Sequence, residues 1–172
     1  MISGYLLFLN HRGALRPLLL FSVFTYSFGF LVEFLGVNFS FLFGDYEYGK
    51  TLGPKFLNVP VIIGLNWLLI IYCVATLTDS LRVSVPVKVL MGALLAVFID
   101  WLIEPVAMNY DFWTWANNNV PLQNYIGWFF TSIVMMSAYH IFRVGADNRL
   151  ALPYYFVQLG FFLALNVYLL IR

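Results

Sequence analysis

Asp100 and Glu104 stand four residues apart inside an apolar run, followed at once by Pro105, which is expected to end the helix, and then by Trp113 and Trp115. Carboxyls at positions i and i+4 meet on one helix face. In a site of low dielectric the two cannot both ionise without cost, so such a pair is suited to act as a general acid beside a general base. A third acid, Glu33, lies in another apolar run between Gly29 and Gly36, in a stripe with Tyr26 that steps by three or four residues. Small residues at that spacing let a neighbouring helix approach closely. Ionisable groups in lipid face a cavity or a partner and are functional candidates by default. The alternatives are structural: Glu33 as a hydrogen-bonded tie between helices, and Glu104 as a helix-end residue reaching headgroup water.

The elements that must hold these acids are membrane spans. With 62% of its 172 residues hydrophobic and 10% charged, the chain has no means of hiding its apolar surface in water. Five runs are long enough to cross a bilayer as helices: about Pro17 to Val37, Pro60 to Thr78, Val85 to Glu104, Leu122 to Phe142 and Ala151 to Ile171. The expected fold is all-α, a polytopic transmembrane helix bundle forming one integral-membrane domain over 1–172. The runs do not alternate in polarity, which excludes a closed barrel. No internal repeat or linker is evident in the string. The first residues lack a cleavage site and read as an interfacial segment or the tail of a further helix.

With five spans, Arg12, Arg16, Arg82, Lys88, Arg143 and Arg149 share one side and Lys50, Lys55 and Arg172 the other, which places the N-terminus in the cytoplasm. Glu33, Asn66, Asp100, Glu104, Asn124 and Asn166 then fall in one layer towards the outer side. The two longest loops, 38–59 and 105–121, open on that side and carry Asp45, Tyr46, Glu47, Tyr48, Asp111, Trp113 and Trp115. Helical spacing groups Asn66 with Cys73 and Thr76, Asn124 with Trp128, Thr131 and Met135, and Gln158 with Phe162 and Asn166. Most of the aromatics need no cause beyond interfacial belts and lipid contact. Trp101, Trp113, Trp115 and Trp128 flank the acids, where ring faces can stabilise a cation.

Absences narrow the chemistry. His11 and His140 are the only histidines and Cys73 the only cysteine, so a histidine-rich di-iron site and an intrachain disulfide are both excluded. No glycine-rich dinucleotide fingerprint or P-loop occurs. Asp100 and Glu104 resemble half of a magnesium-diphosphate motif of membrane prenyltransferases, without the second acidic cluster. No cofactor is therefore implied, and a net charge of +1 carries no signal for nucleic acid.

Two blocks carry a resemblance. Glu33, Gly36 and Val37 lead to Phe43, Gly44, Tyr46 and Tyr48, then Leu52, Gly53, Pro54, Val59 and Pro60; later Glu104 and Pro105 lead to Trp113, Trp115, Pro121, Asn124 and Tyr125. These resemble the signature blocks of the integral-membrane carotenoid hydratases, the carotenoid biosynthesis family. Asn38, Phe39 and Ser40 stand where that family is expected to have Thr-Gly, and the N-terminus reads as shorter by about one helix. The resemblance implies addition of water, without a redox cofactor, to the terminal double bond of an acyclic carotenoid in the cell membrane of a prokaryote. Asp100, Glu104 and Glu33 are then the catalytic candidates. Tyr46, Tyr48, Asn66, Trp101, Trp113, Trp115, Asn124, Tyr125 and Trp128 are the substrate-binding candidates. A cyclase that protonates the same end group, or a membrane protein that binds or transports lipid without altering it, would use the same features.

Overall fold

The computed structural model describes residues 2–145 and 147–172. Each expected span forms a helix: α2 (Leu15–Phe39), α3 (Ile62–Asp79), α4 (Val85–Asn109), α5 (Leu122–Ile141) and α6 (Ala151–Ile171), preceded by the short α1 (Ile2–Leu9). By length and composition, α2, α3, α4 and α6 can each cross a membrane. The more polar α5 runs antiparallel along α4. Asn124 near its start meets Asp100 and Glu104, while Ile141 at its end shares a groove with Val85, so α5 covers the same depth as α4.

Packing follows the small residues. A Cβ on Gly29 would lie 2.9 Å from Trp67, and one on Gly92 would collide with Met136 Cε. These contacts seat the Trp67 side chain of α3 on the backbone of α2 and the Met136 side chain of α5 on that of α4. Helix α6 lies on α3 and α4 and leaves most of its surface outward, as a lipid-facing helix does. At the basic end, Asn148 Nδ2 donates to Tyr72 Oη (2.9 Å) and to the Leu7 carbonyl (2.7 Å), and His11 Nδ1 lies 2.9 Å from the same phenol. This cluster ties α1 and the α5–α6 loop to α3.

Three features depart from expectation. Pro105 does not end α4, which continues to Asn109. A proline removes one backbone donor and crowds the preceding turn, but the helix closes again when Tyr110 N donates to the Val106 carbonyl and Asn109 Nδ2 to the Pro105 carbonyl. The two long loops are also not irregular. Strand β1 (Tyr46–Tyr48) pairs antiparallel with β4 (Trp113–Trp115), with Tyr46 opposite Trp115 and Tyr48 opposite Trp113. Strands β2 (Lys55–Phe56) and β3 (Val59–Pro60) form a hairpin turned at Leu57 and Asn58, both at positive φ. Finally, an architectural repeat exists where none is evident in the string. A helix, a strand and a helix recur in that order: α2, β1 and α3, with the β2–β3 hairpin inserted before α3, and α4, β4 and α5, with a short 3-10 turn at 116–118 before α5. The strands β1 and β4 pair with each other.

Candidate active site

Alternation along a strand sends every second side chain to the same face. In β1 that rule buries Tyr46 and Tyr48 and leaves Glu47 exposed; in β4 it turns Trp113 and Trp115 towards the same interior. The β1–β4 ribbon is thus a lid whose inner face is two phenols and two indoles. It closes over the ends of α2 and α4 that lie away from the basic loops, where Glu33 and Glu104 are buried.

Each glutamate is held by its own unit and by the following helix. Glu33 Oε2 accepts from the Tyr46 hydroxyl and from Tyr48 (2.7 Å), while Oε1 accepts from Trp67 Nε1 of α3 (2.8 Å). Glu104 Oε2 accepts from Trp113 Nε1 (3.0 Å) and Trp115 Nε1 (2.7 Å), while Oε1 accepts from Asn124 Nδ2 of α5 (3.0 Å). The two clamps have the same plan. One oxygen takes two aromatic donors from a strand and the other takes one donor from the next helix. The repeat escapes detection in the string because its donors differ, Tyr-x-Tyr against Trp-x-Trp, and stand at different distances, 13 and 15 residues against 9 and 11.

Asp100 lies behind this arrangement. Its Oδ2 accepts from the same Asn124 Nδ2 at 2.9 Å, and its Oδ1 is buried with no hydrogen-bond partner among the described residues. One amide nitrogen therefore bridges both acids of α4. Among the described residues no cationic side chain pairs with any of the three carboxyls; the ion pairs lie elsewhere, Lys88 with Asp79 and Arg12 with Asp147. Outside the helices, burial beside Glu33 holds the Tyr46 and Tyr48 hydroxyls well above their ordinary pKa of 10.0. Both phenols are therefore proton-bearing donors to Glu33.

The clamps enclose a cavity of about 20 Å³ lined by Glu33, Phe43, Tyr46, Tyr48, Ile63, Asn66, Trp67, Glu104, Trp113, Trp115, Asn124 and Trp128. Space of that size holds one water molecule. Trp67 stacks on Trp128 at 3.9 Å between ring centroids, forming an aromatic wall across the α3–α5 interface. Among the described residues no group of three or more His, Cys, Asp or Glu is placed to hold a metal ion.

Most of the residues expected from the sequence converge here: Glu33, Glu104, Tyr46, Tyr48, Asn66, Trp113, Trp115, Asn124 and Trp128 all line the cavity. Asp100 does not line it, although it touches Asn124. Trp101 is 56% exposed, stacks on Phe98 and stands outside the lining set. It stands only one residue beyond Asp100, and a helix turns roughly 100° in that step. Tyr125 is half-buried and outside the lining set. Asn166 keeps the depth of the acids but stands outside the cavity, donating to the Leu102 carbonyl on another face of α4. Trp67 and Phe43 are site residues that sequence reasoning misses. Trp67 is concealed among apolar neighbours, and only its one-residue offset from Asn66 hints at the same depth.

Fold and site together define a helical membrane protein that encloses carboxyls in an aromatic cage at the end of the bundle away from its basic loops. More particularly, the chain belongs to the carotenoid biosynthesis protein family, which it matches over residues 2–171. It is 26% identical over 160 residues to the bisanhydrobacterioruberin hydratase of Haloarcula japonica, an alignment covering 87% of this chain and 53% of that protein. The chain thus spans about half the length of this curated relative. No solved structure matches it.

Proposed function

We propose that the chain is a carotenoid-modifying enzyme that adds water to the terminal double bond of an acyclic carotenoid, giving a tertiary alcohol without a redox cofactor. One observation carries the reading. Two carboxyls from equivalent positions, without a paired cation among the described residues, face a single cavity that has room for one water and is walled by indole and phenol rings. Hydration of such an alkene needs a proton donor, shelter for a tertiary cation, and a base on the attacking water. Glu33 and Glu104 supply the acid–base pair. Trp113, Trp115, Trp67 and Trp128, whose rings line the same cavity, shelter the cation.

The cavity is too small for an isoprenoid end group, so the β1–β4 ribbon opens to admit it from the bilayer and closes to exclude bulk water. The hydratase relative supports water rather than the polyene itself as the captor of the cation, although the match covers 53% of that protein. We place the chain in the cell membrane of a prokaryote, with lipid around its helices and the basic loops in the cytoplasm. The test is expression in cells that accumulate lycopene, followed by weighing the pigment. A gain of one water per modified end supports the reading. An unchanged mass with new ring absorption indicates a cyclase, and an unchanged pigment indicates a binding protein.

A further inference from the structure

We infer that the acids divide the reaction between them: Glu104, sharing a proton with Asp100, protonates the end-group alkene, and Glu33 takes the proton from the attacking water. This assignment rests on the hydration reading above.

The surroundings of the two clamps differ in kind. Asp100 and Glu104 are joined through one amide nitrogen, and among the described residues no cation lies between them and no donor reaches Asp100 Oδ1. Two carboxyls so placed hold one proton between them more stably than two negative charges. That proton is the one available for transfer. Asp100 is a positioning residue, because it meets Glu104 through Asn124 and does not line the cavity.

Glu33 shares none of its three donors with a second acid. Two of them are phenol hydroxyls, and the Asn66 amide lines the same cavity. A phenol oxygen that gives its hydrogen to Glu33 keeps lone pairs for a water hydrogen, whereas an indole is a donor only. Two phenol oxygens thus stand ready to accept from a water beside Glu33. Trp113 and Trp115 at the Glu104 end spend their indole N–H groups on Glu104 and carry no lone pair for water to donate to.

The step balances. The alkene π electrons take the Glu104 proton, forming a C–H bond at the CH carbon and breaking the carboxyl O–H bond, which leaves positive charge on the dimethyl carbon. The water oxygen bonds to that carbon as its proton passes to Glu33. One alkene and one water become one alcohol, and the proton returns from Glu33 to Glu104 through the next water to enter.

The assignment predicts that protonation survives without the base. Purified protein in D2O is given lycopene, and both the alcohol and the deuterium in recovered lycopene are measured by mass. In Glu33→Gln the alcohol falls by ~100-fold, the usual contribution of a positioned base, yet recovered lycopene gains deuterium because Glu104 still protonates the end group and takes a hydrogen back. Glu104→Gln loses both. Glu33→Asp, which keeps a carboxyl in case the amide variant misfolds, retains exchange above hydration. Asp100→Asn moves the pH profile of exchange, which a purely structural residue would leave in place. Loss of both signals in either Glu33 variant with the fold intact, full hydration by Glu104→Gln, or an unmoved profile in Asp100→Asn overturns the assignment alone. A wild-type protein that makes no alcohol overturns the hydration reading with it.

Discussion

Replacing Asn124 by alanine tests the clamp on α4. Among the described residues its amide nitrogen is the one side-chain donor to Asp100, at 2.9 Å, and one of three to Glu104, at 3.0 Å. Two interhelical bonds in a membrane bundle contribute about 0.6 kcal/mol each, so the bonds alone account for about 1 kcal/mol. Leaving Asp100 buried without a donor adds about 1–3 kcal/mol, the desolvation cost of an unsatisfied group. The orphaned acid therefore dominates, and the expected loss is about 2–4 kcal/mol in equilibrium unfolding from mixed micelles. The same reasoning sets the outcome of a double-variant cycle. Once Asp100→Ala has removed the acid, Asn124→Ala has less left to disturb, so the double variant loses about 1–2 kcal/mol less than the sum of the singles. Strict additivity, within about 0.5 kcal/mol, would refute the shared clamp.

Three further outcomes follow from the packing and from the buried phenols. Gly29→Ala places a methyl 2.9 Å from the Trp67 side chain that donates to Glu33, and should cost about 1–3 kcal/mol as overpacking does. Gly160→Ala on the open face of α6, with nothing within 4 Å of the new methyl, should hold or gain stability through helix propensity; thermal unfolding of both compares them. The buried phenols set an alkaline limit. Because Tyr46 and Tyr48 keep their protons above pH 10.0 in the fold while the unfolded chain releases them near it, the unfolded state binds fewer protons and stability falls as pH rises past that value. Tyr48→Phe should reduce that slope in unfolding measured against pH.

The helices are legible in the string because lipid imposes long apolar runs, and the shared depth of Glu33, Asp100, Glu104 and Asn124 follows from counting residues along them. Angular position is harder to assign. Adjacency to Asp100 groups Trp101 with the acids, yet one helical step turns it to the outer surface. Asn166 shares the depth of the acids but bonds to another face of α4. The β1–β4 ribbon is hidden because three-residue strands give too short an alternation to stand apart from an aromatic interfacial loop. Only the pairing of Tyr46 with Trp115 and of Tyr48 with Trp113 reveals Tyr-x-Tyr and Trp-x-Trp as two halves of one lid. In the string the same residues stand out as aromatics near the acids and as family motifs, not as paired strands.

If Glu33 and Glu104 together add water to a carotenoid end group, as proposed, the mass of the pigment shows it most directly. In lycopene-accumulating cells the wild-type chain should yield pigment heavier by one water per modified end, while Glu104→Gln and Glu33→Gln, expressed to the same level, should leave the lycopene mass unchanged. Hydrated pigment at the wild-type yield in both variants would contradict the account.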